Sequence, residues 1–141
     1  MKSNLTPRNR ELVIIAGHIA REANAAGRVL TIEQLAGEVR AARPLHFYYN
    51  YDQACRMMSL IRRYGPENFS TATDIRAGWL DLYRQVNEVM ELRPRLNAGQ
   101  ALVHTLMFRR PSRVYLSVNS IRKILSPHFE ARLTENGGSR A

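Results

Sequence analysis

Arginine is the most frequent charged residue of this chain, and one long stretch of the chain contains no acidic residue. The 141 residues include 19 Arg and two Lys against 12 Asp and Glu, which gives a formal net charge of +9. Between positions 92 and 129 the basic residues are Arg93, Arg95, Arg109, Arg110, Arg113, Arg122 and Lys123. Such a stretch needs counter-charge, and the planar guanidinium suits bidentate contact with phosphate or carboxylate. The sequence therefore predicts a polyanionic partner.

The residue types that catalyse reactions or hold metals do not form a recognisable set. The four His residues are far apart, and none joins Cys or carboxylates at a metal-ligand spacing. Glycine is sparse and forms no phosphate-binding or dinucleotide-binding loop. Cys55, the only cysteine, lies on an apolar stripe, which favours a small core residue over a nucleophile. We therefore expect no enzyme activity, no cofactor and no metal.

Capping residues and apolar spacing predict about six helices that would position these charges. Thr6-Pro7 is typical of a helix start, and Thr31 with Gln34 indicates a capping box. Four later helices are expected after Asn50 or Asp52, from 75 to 90, from 101 to 108, and after Ser117. The predicted fold is a mainly α, compact bundle in one domain, 1–134, followed by a flexible tail, 135–141.

The sequence does not favour a membrane partner. The apolar run from Leu12 to Gly17 is too short to span a bilayer. The most regular amphipathic helix, from Ile75 to Met90, carries acidic as well as basic residues, so its polar face is not cationic as an interfacial helix requires. We expect a cytoplasmic protein.

The order of elements repeats when the chain is shifted by 67 residues. The shift places Arg43-Pro44 on Arg110-Pro111, Tyr48 on Tyr115, Asn50 on Ser117, Arg56 on Lys123, Leu35 on Leu102 and Val39 on Leu106. Two interpretations are open. The chain is a tandem duplication with pseudo-repeats 6–66 and 73–134, or two helical patterns resemble each other by chance.

Each Arg-Pro pair precedes a short segment that we expect to be extended. Basic and aromatic side chains alternate there, which suits phosphate contact combined with base stacking. Alternatively, the two segments form a small β-ribbon that buries Tyr48 and Tyr115, and this interpretation is favoured. Arg43, Arg110 and Arg113 are expected to face solvent under both.

The segment Thr31–Val39 resembles the first helix of a helix-turn-helix unit, with a cap, a Leu-Ala pair and a small residue. The resemblance implies that the helix from 51 to 64 is the recognition helix. Its DNA-facing side chains would be Gln53, Arg56, Arg62 and Arg63. The connection from 39 to 50 is longer than such units use, so a helical hairpin that only packs is the alternative.

These patterns favour a non-enzymatic nucleic-acid-binding protein that prefers duplex DNA. Arg43 and the acid-free stretch would contact the phosphate backbone. A small regulator or accessory factor of a mobile element fits this description. The alternative is a protein-interaction adaptor or inhibitor whose Arg-rich face docks an acidic protein, which would require exposed aromatic anchors such as Tyr48, Tyr49 and Tyr115. The sequence indicates no oligomeric state.

Overall fold

A computed structural model describes residues 5–70 and 72–133 of the chain. The helices in this part are α1 (Pro7–Ala25), α2 (Ile32–Ala41), α3 (Tyr51–Tyr64), α4 (Asp74–Leu92), α5 (Ala98–Phe108) and α6 (Val118–Leu133). A short 3-10 helix, Pro66–Asn68, follows α3. The predicted mainly helical fold is confirmed. The tail predicted for 135–141 lies outside the described residues.

Every one of these six α-helices begins at a side chain that accepts a hydrogen bond from the backbone N–H three residues later. The bonds are 2.8 to 3.2 Å long. The capping residues are Thr6, Thr31, Asn50, Thr73, Asn97 and Ser117. Each cap satisfies one of the N–H groups that a helix start leaves without an internal partner. The caps predicted at Thr6, Thr31, Asn50 and Ser117 are confirmed.

Glycine and proline end several of the helices. α1 is followed by Gly27 at φ 77° and α3 by Gly65 at φ 88°, a region that glycine enters without steric cost. Pro66 then prevents α3 from continuing. α4 ends at Leu92, two residues before Pro94, as the sequence predicts.

Backbone contacts divide the chain into two compact units that are not consecutive in sequence. One unit contains α1, α2 and α6, and the other, Arg43–Tyr115, contains α3, α4 and α5. Each unit thus takes two helices from one of the expected halves, 6–66 and 73–134, and its third helix from the other half. The single domain expected for 1–134 stays a prediction.

In the first unit, α2 packs on α6 and α1, and α1 also contacts α6. The buried apolar side chains of this unit are Leu12, Ala16, Ala23, Leu35, Ala36, Val39, Ile121, Leu125 and Phe129. They recur at three- and four-residue spacing along each helix, which places them on one face.

In the second unit, α4 packs on both α5 and α3. The core residues are Phe47, Ala54, Met58, Ile61, Trp79, Leu82, Val86, Val89, Ala101 and Leu102. The Tyr49 ring stacks on the Trp79 ring with centroids 4.1 Å apart, which extends the core to the segment before α3.

Two expected arrangements are not found in the described part of the chain. No strand occurs there, and hydrogen bonds from two arginine side chains join the Arg-Pro segments in place of a β-ribbon. The expected helix-turn-helix pair, α2 with α3, is also not formed within either unit, because the two helices belong to different units. Sequence proximity suggested that pairing, whereas α2 buries its apolar face against α1 and α6.

Candidate nucleic-acid interface

Helix α3 has one buried side and one side fully open to solvent. Ala54, Met58 and Ile61 face the core of the second unit. The opposite side carries Arg56 and Arg63, which are seven residues apart and therefore lie on one line along the helix. Helical geometry separates their Cα atoms by about 10 Å along the axis.

The exposed side of α3 is cationic, because it carries three arginines without ion-pair partners against one carboxylate in its first turn. Arg56, Arg62 and Arg63 are all exposed, and none of them has an ion-pair partner among residues 5–70 and 72–133. Arg63 lies over the ring of Tyr64, with its guanidinium carbon 5.5 Å from the ring centroid. Gln53 is exposed one turn before Arg56. We call Arg56, Arg62 and Arg63 the α3 arginines.

The turn between α4 and α5 adds two more exposed arginines. Arg93 and Arg95 lie in this turn, and neither has an ion-pair partner in the described part of the chain. The turn is held by a hydrogen bond of 3.0 Å from the Leu96 N–H to the Arg93 carbonyl. A Cβ placed on Gly99 would be 3.3 Å from the Tyr51 hydroxyl, so the start of α5 lies beside the start of α3. Arg93 and Arg95 therefore precede a helix start that adjoins the first turn of α3.

Arg43 and Arg110, in contrast, donate hydrogen bonds to backbone carbonyls of the protein itself. Arg43 donates from Nε to the Pro111 carbonyl at 3.1 Å and from Nη2 to the Arg110 carbonyl at 3.3 Å. Arg110 donates from Nε to the Pro44 carbonyl at 3.0 Å and from Nη2 to the Arg43 carbonyl at 2.7 Å. We call this reciprocal arrangement the arginine clasp. Both residues are exposed, as expected, but much of their donor capacity is directed at the backbone.

A buried carboxylate on α4 fixes the segment that follows the clasp. Asp81 Oδ2 accepts bonds from the Ser112 N–H at 2.7 Å and the Tyr115 hydroxyl at 2.9 Å. Asp81 Oδ1 accepts bonds from Arg84 Nη2 at 2.6 Å and Gln85 Nε2 at 3.1 Å. Asp81 is only 6% exposed, so these contacts replace nearly all of its hydration.

These contacts set the charge state of the cluster. Burial by itself raises the pKa of Asp81, but the hydrogen bonds, with the Ser112 N–H first among them, hold that pKa below its usual value. Burial and the bond to Asp81 raise the pKa of Tyr115 to about 12. Tyr115 therefore stays a neutral donor to an ionised Asp81 near neutral pH.

Two further arginines of the acid-free stretch have acidic partners on α4. Arg109 Nη1 is 2.7 Å from Glu88 Oε1, and this bond lowers the pKa of Glu88. Arg113 Nη2 is 2.9 Å from Asp74 Oδ1, and its guanidinium lies 4.4 Å from the centroid of the Tyr115 ring. Arg113 is half-buried, so the expectation that it faces solvent holds only in part. The stretch contains no acidic residue, yet two of its arginines pair with carboxylates that are distant in sequence.

The last two predicted site residues lie on α6, in the first unit. Lys123 is exposed and has no ion-pair partner among the described residues. Arg122 is half-buried, and its Nη2 donates to Asn119 Oδ1 at 3.0 Å. The twelve predicted residues therefore occur in both units and include paired as well as unpaired cations.

The tyrosines that would serve as anchors in a protein adaptor are differently exposed. Tyr49 is half-buried against Trp79, and Tyr115 is half-buried with its hydroxyl on Asp81. Tyr48 is 36% exposed, so the prediction that it is buried is wrong. The most exposed aromatic side chain on α3 is Tyr64, at 60%, and no sequence pattern marked it as an anchor.

The structural role of Asp81 as a buried hydrogen-bond acceptor was not predicted from the sequence. It is one of the acidic residues of the amphipathic helix that the sequence predicts from Ile75 to Met90. Its position between Leu80 and Leu82, inside an apolar run that begins at Trp79, was the available signal that this carboxylate is buried.

Comparison with protein-family models, curated proteins and solved structures finds no match to this chain. Within the described residues, no helix combines the length and the apolar character needed to cross a bilayer.

Proposed function

We propose that this protein binds nucleic acid, with duplex DNA preferred, through the exposed face of α3 and without catalysing a reaction. The observation that supports the proposal is the difference in partners among the arginines. The α3 arginines have no acidic partner among the described residues, whereas Arg109 and Arg113 have such partners. Unpaired, exposed guanidinium groups on one helix are available for phosphate.

The dimensions of α3 suit a DNA groove. Its 14 residues span about 21 Å, and the major groove of B-DNA, about 12 Å wide, admits one α-helix. In this proposal the α3 arginines contact phosphates, and Gln53 is the side chain able to read a base edge. Arg93 and Arg95 extend the contact beyond the start of the helix. The protein would act in the cytoplasm, where the DNA of a mobile element is accessible to a small accessory factor.

A second candidate function is an adaptor or inhibitor that docks an acidic protein on the same face. Tyr51, Leu60 and Tyr64 are exposed beside the α3 arginines, and aromatic residues next to Arg are typical of protein hot spots. The two partners differ in what they require from α3. Phosphate contact depends on charge, whereas a protein hot spot depends on the exposed apolar and aromatic side chains as well.

A set of matched variants separates the two. The triple variant Arg56→Ala/Arg62→Ala/Arg63→Ala should weaken binding to a random duplex by roughly tenfold or more, because it removes three phosphate contacts. The control Arg8→Ala/Arg10→Ala/Arg76→Ala removes the same charge from exposed positions on α1 and α4. It should change affinity much less, as measured by fluorescence anisotropy. Equal losses in the two triple variants would contradict the assignment to α3.

The adaptor function has its own signature in the same assay. Tyr64→Ala and Leu60→Ala should leave duplex affinity within about threefold if phosphate contacts dominate. A protein that binds an acidic partner more tightly than DNA, and loses that binding on Tyr64→Ala, would be an adaptor.

We also propose that the chain is a tandem duplication whose halves have exchanged their third helices. Three features separated by 67 residues support this: the caps Thr6 and Thr73, the caps Asn50 and Ser117, and the reciprocal clasp of Arg43 and Arg110. The buried positions of α2 and α5 match when the 67-residue shift is reduced by one residue. Leu35, Ala36 and Val39 correspond in burial to Ala101, Leu102 and Thr105, in place of the gapless pairs Leu35 with Leu102 and Val39 with Leu106.

A further inference from the structure

We propose that α6 carries a second nucleic-acid-binding face, so that one chain holds two duplex segments. The inference rests on the proposed function of α3 and adds a separate site in the other unit. Both sites bind the phosphate backbone of a duplex, and the site on α6 is the weaker of the two.

The first argument is that α6 presents its side chains as α3 does. Both helices begin at a polar cap, Asn50 or Ser117, that accepts a bond of 3.1 Å from the N–H three residues later. Over the seven consecutive positions from Asp52 to Met58, each residue is buried, half-buried or exposed as its counterpart from Asn119 to Leu125 is. Over these seven positions the two helices therefore expose equivalent faces to solvent, whereas farther along Ile61 is buried and its counterpart His128 is exposed.

The second argument is the chemistry of the exposed face of α6. Lys123 takes the place of Arg56 and is exposed, and no carboxylate among the described residues pairs with it. Asn119 and Ser120 are exposed one turn earlier and are donors of the kind that contact phosphates. Arg122 adds a second cation beside Asn119, 3.0 Å from its Oδ1.

The difference in cations sets the order of affinity. The α3 face has three unpaired guanidinium groups, whereas the α6 face has one exposed ammonium and one half-buried guanidinium. Lys is a point charge without the bidentate geometry of Arg, so it attracts a phosphate without fixing its orientation. The α6 face therefore binds the backbone more weakly and without sequence preference.

The test counts short duplexes per chain. The full-length protein is titrated with a random duplex of about 12 base pairs at low salt, and the stoichiometry is read by calorimetry and native mass spectrometry. We expect two duplexes per chain, with the second at least tenfold weaker. The α3 triple variant should keep one weak site, and Lys123→Ala should keep one tight site. Arg10→Ala, an exposed position on α1, is the charge control and should keep both.

The outcomes separate this inference from the proposed function. One tight duplex per chain, with Lys123→Ala indistinguishable from the unmodified protein, would overturn the second site and leave the α3 site standing. An α3 triple variant that binds no duplex would also overturn the second site. No duplex bound by the unmodified protein at low salt would overturn both. Thermal melting of each variant confirms that the fold is retained, as expected for exposed positions.

Discussion

Gly78 lies on the buried side of α4, where two tyrosines approach the backbone closely. A Cβ at this position would contact the Tyr49 hydroxyl, and it would lie 3.1 Å from both Cβ and Cγ of Tyr115. The Tyr115 atoms are next to the backbone, and the hydroxyl of that residue is bonded to Asp81, so the ring cannot move away without breaking this contact. Glycine fits at this position because there is no space for a Cβ atom.

We expect Gly78→Ala to destabilise the protein by up to about 2 kcal/mol. Two effects oppose each other. Alanine in a helix gains about 1 kcal/mol over glycine, whereas overpacking costs about 1 to 3 kcal/mol. The overpacking term should dominate, because two neighbours obstruct the methyl group. The measurement is urea unfolding followed by circular dichroism.

Gly37→Ala is the matched control, because this glycine is also inside a helix and a Cβ there would meet nothing within 4 Å. It should stabilise the protein by about 0.5 to 1 kcal/mol. Loss of stability in both variants would show that space around Gly78 is not the cause.

At the scale of single residues, the sequence predicts exposure better than it predicts partners. The exposed positions of Arg56, Arg62 and Arg63 follow from helical periodicity. The ion pairs of Arg109 with Glu88 and of Arg113 with Asp74 join positions 21 and 39 residues apart, and no local pattern encodes such contacts. The acid-free stretch was informative about composition but not about which arginines remain unpaired.

At the scale of elements, the arginine clasp connects two segments that have no regular hydrogen-bonding pattern of their own. Pro44 and Pro111 lack an N–H, so neither pair can contribute a full ladder to a sheet. Each guanidinium instead supplies two donors to carbonyls of the other segment. The pairing of the two Arg-Pro segments by side chains was not foreseen, because it depends on the approach of residues 67 positions apart.

Arg43→Ala and Arg110→Ala should each cost about 1 to 2 kcal/mol of unfolding free energy, since each removes two charged hydrogen bonds that are partly open to solvent. The proposed tandem duplication predicts that the two costs agree within about 0.5 kcal/mol. The Lys variants should not restore stability, because an ammonium lacks the forked donor geometry. Chemical unfolding of the four variants is the measurement. A large loss at one position and none at the other would contradict the equivalence of the two segments.

Helix starts were predictable from caps, but the partners of the helices were not. Thr6, Thr31, Asn50 and Ser117 each act locally, three residues from the N–H they satisfy. The packing of α2 on α6 joins helices that are far apart in sequence. The apolar periodicity of a helix shows which of its faces is buried but not which helix covers that face. For this reason caps and periodicity place α2 and α3 along the chain but do not determine the helices on which they pack.

At the scale of the whole molecule, net charge and its distribution make different contributions. A formal charge of +9 attracts any polyanion at long range, and salt screens this attraction. Direct phosphate contacts add a second effect, because each one releases counterions from the duplex. Arg109 and Arg113 contribute mainly to the first effect, since they already have carboxylate partners, whereas the α3 arginines contribute to both.

The salt dependence of duplex binding tests the central claim most directly. A labelled random duplex is titrated with the unmodified protein at several salt concentrations, and the logarithm of the binding constant is plotted against that of the salt concentration. The three α3 arginines predict a slope of about −2.7, and participation of Arg93 and Arg95 brings it to about −4.5. A slope in this range, reduced by about one for each α3 arginine replaced, is the expected result. No binding at low salt, or a slope that the α3 variants leave unchanged, would contradict the account.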